Sequence, residues 1–303
     1  MRTGYLGTSE FAATVLRRLA GSPHRPALVV TPPDSRKGRG RRLASPPAAE
    51  AARELDLPLH QSADVNSAGS LEAIRAANPS AVAVCAFGQL IKEPLLSEWT
   101  MLNVHPSLVP RWRGAAPIER ALMEGDRATG VTIMRVTEGL DSGPVALADE
   151  VPIVLDDDYE SLSAKLAAIA GELLVKALDD LDAGTLAFAE QDDSQALYAE
   201  KVSADERHLR PSKTAAELAR TVRALTPRIG TYLELEDGER LGVRAAVAVA
   251  DGPPAGVIEA RGEELLLGSS EGALRLDVVQ PPGGKPMRAA DFLRGHAPPA
   301  KAL

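Results

Sequence analysis

The sequence predicts an α/β fold in two parts, a parallel sheet covered by helices and then a smaller β-rich barrel. Three observations carry that prediction. Runs apolar on both faces, such as ALVVT (27–31) and SAVAVCAF (80–87), alternate with stretches of helical periodicity in the first half of the chain. Such alternation marks a parallel sheet buried on both sides. Residues 184–204 then carry few apolar side chains and read as a tether, and from residue 205 short strands separated by turns such as EDGE (236–239) take over. Short, closely spaced strands of this kind build small barrels.

Taken in order, TGYLG (3–7) is the first strand, and Thr8 or Ser9 can cap a helix whose apolar residues Phe11, Val15, Leu16 and Leu19 fall at helical spacing. ALVVT is the second strand. The following PPDSRKGRGRRLASPP (32–47) holds too much proline, glycine and charge for regular structure. Helices are expected at 48–55 and 68–77, then the strand at 80–87, a short strand LNV (102–104), a helix IERALM (118–123) and a strand GVTIMRV (130–136). After VALADEVPIVL (145–155), the acidic run 156–158 can cap a helix with Leu162, Leu166, Ile169 and Leu173 on its apolar face. The last part reads as one helix (214–225) followed by strands within 229–235, 240–249, 256–260, 264–268 and 273–279. The expected division is therefore 1–184, a linker 185–204, and 205–303.

Composition bounds the function. With 45% apolar and 25% charged residues in 303, the chain is globular. The one cysteine, Cys85, excludes an internal disulfide and a multi-cysteine metal site, and within AVAVCAF it reads as a buried strand residue. No run approaches the roughly 20 apolar residues of a membrane span. The start, MRTGYLGTSEF, lacks a signal-peptide core, so the cytoplasm is the expected compartment. The net charge of −8 argues against a general affinity for nucleic acid, yet residues 34–42 (DSRKGRGRR) carry a local +4. Arg36, Lys37, Arg39, Arg41 and Arg42 repel one another there unless a polyanion arrives; the plain alternative is a solvated charge run.

Chemistry concentrates in NVHPSLVPRWRGAAP (103–117). Asn103 and His105 are two apart on a strand, so their side chains leave one face. Pro106 ends the strand, which puts the pair at the carboxyl edge of a parallel sheet, where ligands of such sheets bind. An Asn N–H can stabilise an oxyanion and a His can accept a proton. GLDSGP (139–144) supplies Asp141 as a carboxylate able to orient the imidazole. Alone, each motif is also an ordinary strand end or turn. Arg111 and Arg113 flank Trp112, as a phosphate or base platform would or as a surface turn would. GYLGTSEF is not G-x-G-x-x-G, which argues against a dinucleotide site.

Together and in this order, GTSEFA (7–12), GRGRRL (38–43), AFGQLI (86–91), NVHPSLVPRWRGAAPI (103–118), TGVTIM (129–134), GLDSG (139–143), YAEK (198–201) and QPPGGKPM (280–287) resemble the methionyl-tRNA formyltransferase family. The resemblance implies a Rossmann-like formyltransferase domain with a parallel-rich sheet, then an OB-like C-terminal barrel that holds the acceptor arm of initiator methionyl-tRNA. It implies 10-formyltetrahydrofolate as formyl donor; transfer from it to an amine calls for no metal, and one folate and one tRNA per chain require no partner subunit, so a monomer is expected. Carried over by motif, Asn103, His105 and Asp141 are catalytic, and Ser107, Leu108, Val109 and Pro110 line the folate site with Phe87, Gly88, Gln89 and Leu90. Arg36, Lys37, Arg39, Arg41, Arg42, Arg111 and Arg113 face the tRNA. The chain departs from the family pattern at Val109, where the second Leu of S-L-L-P is usual; at Arg228 and Ile229, where the barrel usually has Trp and Pro; and at His208, Leu209 and Arg210, where I-D-W is usual. Two aromatic anchors of the barrel are thereby missing. A glycinamide ribonucleotide or sugar formyltransferase, and an RNA-binding adaptor with an inert α/β part, are the alternatives; the C-terminal barrel argues against the glycinamide enzyme, RWRGAAPI with the basic loop against a sugar enzyme, and the intact Asn/His/Asp trio against the adaptor.

Overall fold

The computed structural model describes residues 1–37 and 42–303, so Gly38, Arg39, Gly40 and Arg41 of the expected basic loop lie outside the described residues. Packing divides the chain into two compact units, one of residues 1–117, 128–152 and 163–199, the other of residues 118–127, 153–162 and 200–303.

Through residue 199 the elements are β1 (Thr3–Gly7), α1 (Glu10–Ala20), β2 (Pro26–Thr31), β3 (Ser35–Lys37), β4 (Arg42–Ala44), α2 (Pro47–Glu54), β5 (Leu59–Gln61), α3 (Ala68–Ala77), β6 (Ala81–Cys85), α4 (Leu95–Glu98), β7 (Thr100–His105), β8 (Arg113–Gly114), α5 (Pro117–Glu124), β9 (Ala128–Arg135), β10 (Val145–Pro152), α6 (Tyr159–Asp182) and β11 (Tyr198–Ala199). The main sheet runs β10-β9-β7-β6-β1-β2-β5. Its five strands β7, β6, β1, β2 and β5 are parallel, and the fully buried β1 and β6 are the two-sided apolar runs of the sequence. The edge differs from a purely parallel expectation, because β9 pairs antiparallel with β7 and β10 antiparallel with β9. Only the GLDSG turn and its neighbours join β9 to β10, too short a connection for a parallel crossover.

Ser9 caps α1 by accepting from Ala12 N, while Thr8 instead donates to the Phe87 carbonyl at 2.8 Å, tying the turn after β6 to the end of β1. The stretch 32–47 is more regular than its composition suggests. β3 and β4 pair antiparallel, Arg36 opposite Leu43, because the glycines lie between the paired ends rather than within them. Asp34 fixes the base of this ribbon by accepting from Ser45 Oγ and Gln61 Nε2, both at 2.8 Å. Residues 184–204, read as a tether, are pinned to the first unit as far as Ala199. Ala189 exchanges backbone hydrogen bonds with Val145 at 2.8 and 2.9 Å, and β11 pairs with β8. Main-chain pairing needs no apolar side chain, which is why composition does not reveal it. On α6 the buried stripe runs through Leu162, Leu166, Ala170, Leu174 and Leu178, so Leu162 and Leu166 lie on it as expected, while Ile169 and Leu173 are half-buried at its flank and Ala170 and Leu174 take their places.

In the second unit, α7 (Ala215–Leu225) starts at a capping box between Thr214 and Glu217, a device worth about 1 kcal/mol. It is followed by β12 (Thr231–Glu234), β13 (Arg240–Val249), β14 (Ile258–Arg261), β15 (Glu264–Gly268), β16 (Ala273–Gln280), β17 (Met287–Arg288) and α8 (Ala289–Gly295). The antiparallel sheet runs β12-β13-β16-β15-β14, with β17 on β16. Lys301 bridges Val257 and Ala302 bridges Leu235, so one short segment joins the two edges of the sheet. Leu218, Val222, Leu233, Val243, Leu267, Leu274, Leu276 and Phe292 fill its core.

Candidate active site

β7 delivers Asn103 and His105 where the parallel strands end, as the N-x-H spacing requires. Asp141 reaches them from the turn after β9. Its backbone has φ +47°, a left-handed conformation that Asp tolerates better than most residues. Gly143 lets that turn press on β9: a Cβ there would stand 1.9 Å from the Arg135 carbonyl oxygen.

Asp141 does not meet the imidazole as the triad analogy suggests. Its Oδ1 accepts from Asn103 Nδ2 at 3.0 Å, its Oδ2 accepts from the Gly114 N–H at 2.9 Å, and His105 Nδ1 lies 3.6 Å from Oδ2. His105 is buried, and its Nε2 is 2.8 Å from the Trp112 carbonyl. A carbonyl can only accept, so Nε2 carries the proton and the neutral ring keeps its lone pair on Nδ1. A proton arriving at Nδ1 would find a carboxylate beside it, with the opposite N–H already satisfied. Asn103 spends one amide N–H on Asp141, which leaves the second N–H of the group to a ligand. The trio therefore offers one oriented N–H donor, one proton acceptor and one anion held by two donors.

Gly114 is required for this geometry. It has φ +117°, and a Cβ would lie 2.9 Å from the Ala199 carbonyl oxygen. That carbonyl accepts from Ala115 N and Ala116 N, which fixes the chain just past the amide that holds Asp141.

The remaining expected residues distribute unevenly. Ser107 is fully buried, donates to the Arg111 carbonyl at 2.7 Å and receives Thr132 Oγ1 on its own carbonyl; Leu108, Val109 and Pro110 are half-buried. Phe87, Gly88, Gln89 and Leu90 follow β6, whose Cys85 pairs with Val104, so their turn leaves the sheet beside His105. Phe87 is buried, and the Gln89 amide is committed to Val65 N and the Ser62 carbonyl, so Gln89 shapes the turn rather than presenting free polar atoms. Leu90, on the turn after β6, and Leu140, next to Asp141 in the chain, are 65% and 62% exposed, apolar surface that a flat ring could cover. Arg36 and Arg42 are exposed on β3 and β4, Lys37 lies on β3, and Arg39 and Arg41 lie outside the described residues. Arg111 lies over the Trp112 ring at 4.5 Å. Arg113 is a correction to the expected RNA-facing platform: it is 2% exposed, with its guanidinium on Gln191 and Asp193. Cys85 is no nucleophile, since burial pushes its thiol up to about 12. Sequence reasoning missed Gly114, the Trp112 carbonyl and Gln191; the first two act through the main chain, and Gln191 stands in an undistinguished polar run.

The sequence pattern described as formyl transferase matches residues 1–178, and that of the formyl transferase C-terminal domain matches residues 201–297. The methionyl-tRNA formyltransferase of Methylococcus capsulatus is 41% identical over 100% of this chain and 99% of its own, and that of Pseudomonas paraeruginosa is 40% identical over 96% and 95%. Among solved structures, HypX from Aquifex aeolicus in complex with tetrahydrofolic acid superposes with a TM-score of 0.66 at 18% identity, over 97% of this chain and 47% of that one, a likeness of fold.

Proposed function

The chain belongs to the formyl transferase family, among the methionyl-tRNA formyltransferases, and we propose that it transfers the formyl group of 10-formyltetrahydrofolate to the free amino group of initiator methionyl-tRNA. The products are N-formylmethionyl-tRNA and tetrahydrofolate. The amine nitrogen bonds to the formyl carbon, the bond from that carbon to N10 breaks, and the proton shed by the amine ends on N10.

The donor supplies the electrophilic formyl carbon. Asn103 directs its second N–H at the formyl oxygen, where a donor is worth most as negative charge develops. His105 takes the amine proton at Nδ1, directly or through water, and returns it to the leaving nitrogen. Asp141 orients the Asn103 amide and faces the imidazolium that forms. Leu108, Val109 and Pro110 hold the folate together with the 87–90 turn, and the exposed Leu90 and Leu140 suit that ligand's flat ring; Ser107, expected in the same lining, is fully buried with its hydroxyl on the Arg111 carbonyl and so shapes the lining from beneath. Arg36, Lys37, Arg39, Arg41, Arg42 and Arg111 serve the acceptor end of the tRNA. A regular A-form major groove is too narrow for side chains, but the open end of a stem admits a thin cationic loop. In this reading residues 1–184 are the catalytic domain, 185–204 the linker and 205–303 the tRNA-binding domain, in a cytoplasmic monomer. No helix among the described residues is long and apolar enough to cross a membrane.

The observation that carries the reading is Asp141 bridging Asn103 and Gly114 with His105 Nδ1 beside it. The test is single-turnover formylation with 10-formyltetrahydrofolate and either initiator or elongator methionyl-tRNA. Formylation of the initiator, with tetrahydrofolate released in equal amount, is expected; retention of the tRNA without turnover overturns the reading.

A further inference from the structure

Gln191, inconspicuous in its polar run, holds the turn that carries Asp141. Its Nε2 donates to the Asp141 carbonyl at 3.0 Å and to the Gly143 carbonyl at 2.7 Å. Its Oε1 accepts from Arg113 Nε at 3.0 Å and from Arg113 Nη2 at 2.8 Å. Arg113 can only donate, so the Gln191 oxygen has to face the guanidinium and its amide nitrogen has to face the two carbonyls. The amide has a single orientation. Nη2 of Arg113 also reaches Asp193 Oδ1 at 2.7 Å, which gives the buried cation a counter-charge.

The turn needs such a hold. Asp141 sits at φ +47°, a left-handed conformation that a residue other than glycine keeps only where the surroundings enforce it. The β9 backbone presses on the turn at Gly143, and Gln191 ties the carbonyls of Asp141 and Gly143 together. β8 then acts twice on the same residue: Gly114 binds the Asp141 carboxylate through its N–H, and Arg113 fixes the Asp141 carbonyl through Gln191.

We propose that Arg113 and Gln191 are positioning residues for formyl transfer, a guanidinium–amide relay that sets the carboxylate of Asp141 against Asn103 and His105. This makes the polar 184–199 segment a structural part of the active site, and it takes Arg113 out of the RNA-binding set. It rests on the formyl-transfer reading above.

Gln191→Glu is the decisive variant. It keeps the side-chain shape and the pairing with Arg113 but replaces two N–H donors with an oxygen facing two carbonyls. A small misplacement of a reacting geometry costs on the order of 10²-fold, so kcat should fall about that much. KM for both substrates should stay within about threefold, because the lost interaction acts on the reacting geometry and not on binding. The pH profile of the residual activity should change shape, since His105 and Asp141 no longer face each other as before. Gln191→Ala removes the relay without adding charge and is read the same way if the first variant does not fold; Arg113→Lys, unable to make the double contact, should fall between wild type and these. Native kcat in a folded Gln191 variant, or a loss confined to KM for methionyl-tRNA with a weaker salt dependence, would overturn the inference. A wild-type chain that formylates nothing would instead remove the formyl-transfer reading.

Discussion

Asp141→Asn is the sharpest perturbation of the site, because it changes one atom in a place with no tolerance for it. Oδ1 faces the Asn103 amide nitrogen at 3.0 Å and Oδ2 faces the Gly114 N–H at 2.9 Å. Both neighbours are donors. An amide at position 141 can satisfy one of them, but its own nitrogen then points at the other, whichever way it is flipped. The backbone adds nothing to the penalty, since Asn accepts φ +47° as readily as Asp. A hydrogen bond to a charged group contributes about 1.5–3 kcal/mol, so the variant should lose about 2 kcal/mol of stability. The carboxylate beside His105 disappears and the Asn103 amide is turned from its ligand-facing orientation. At about 1.36 kcal/mol per factor of ten, losses of about 3–4 kcal/mol correspond to a fall in kcat of about 10²–10³-fold, read by single-turnover formylation.

The double variant Asn103→Asp with Asp141→Asn separates the two consequences. The amide introduced at position 141 would then donate to the carboxylate introduced at position 103 and accept from the Gly114 N–H. Every hydrogen bond is restored, and denaturant stability should return to near wild type. Catalysis should not return, because the formyl oxygen would meet a carboxylate instead of an N–H. Recovery of kcat in the double variant, or a single Asp141→Asn variant within about threefold of wild type, would refute the roles given to these side chains.

Arg36→Ala and Arg42→Ala, both on the exposed β3–β4 ribbon, should each lower the slope of log K against log salt for initiator tRNA by about 0.7–0.9 per lost phosphate contact while leaving kcat at saturating tRNA unchanged; an unaltered slope would make the ribbon a solvated charge run. The hydrogen bond from Arg120 holds the Glu206 carboxyl down to about 2. Since its unfolded value is about 4.3, this contact stabilises fully above that value and is lost as pH falls toward about 2. The stability gap between wild type and Glu206→Gln should therefore be constant from neutrality to about pH 5 and close on further acidification. A gap undiminished near the folded value would refute it. Cys85, pushed up to about 12 by burial, should resist alkylation at mildly alkaline pH until denaturant is added, and labelling of the native chain at the rate of a free thiol would contradict its placement.

The parallel strands were legible because burial on both faces leaves its mark on every residue of β1 and β6 and on all but Ala27 of β2. The pairing of Asn103 with His105 was legible because a strand repeats every two residues. What the sequence could not carry was the partner of Asp141. Triad logic points at the imidazole, whereas the carboxylate bonds to the Asn103 amide and a main-chain N–H. That outcome depends on where β8 lies, and β8 is placed by backbone pairing with β11, to which side-chain type contributes nothing. Arg113 illustrates the same limit: next to Trp112 it reads as a surface cation, and only the course of residues 184–199 over it shows that it is buried.

The family departures in the barrel have a physical account of the same kind. Arg228 stands where an aromatic is usual; its guanidinium lies over the Tyr159 ring at 4.6 Å and pairs with the buried Glu119. Arg210 takes the other aromatic position and forks onto Asp205, while His208, two residues before it, stacks on Tyr232 with centroids 5.4 Å apart and planes within 4°. In both places a guanidinium stands where an indole is usual, and in both it is paired with a carboxylate, Glu119 for Arg228 and Asp205 for Arg210. The two departures thus remove apolar anchors from the barrel without adding cations that lack a carboxylate partner. Arg210→Ala and Arg228→Ala should accordingly leave the slope of log K against log salt for tRNA binding unchanged, and a clear fall in that slope would show that these guanidinium groups reach phosphate.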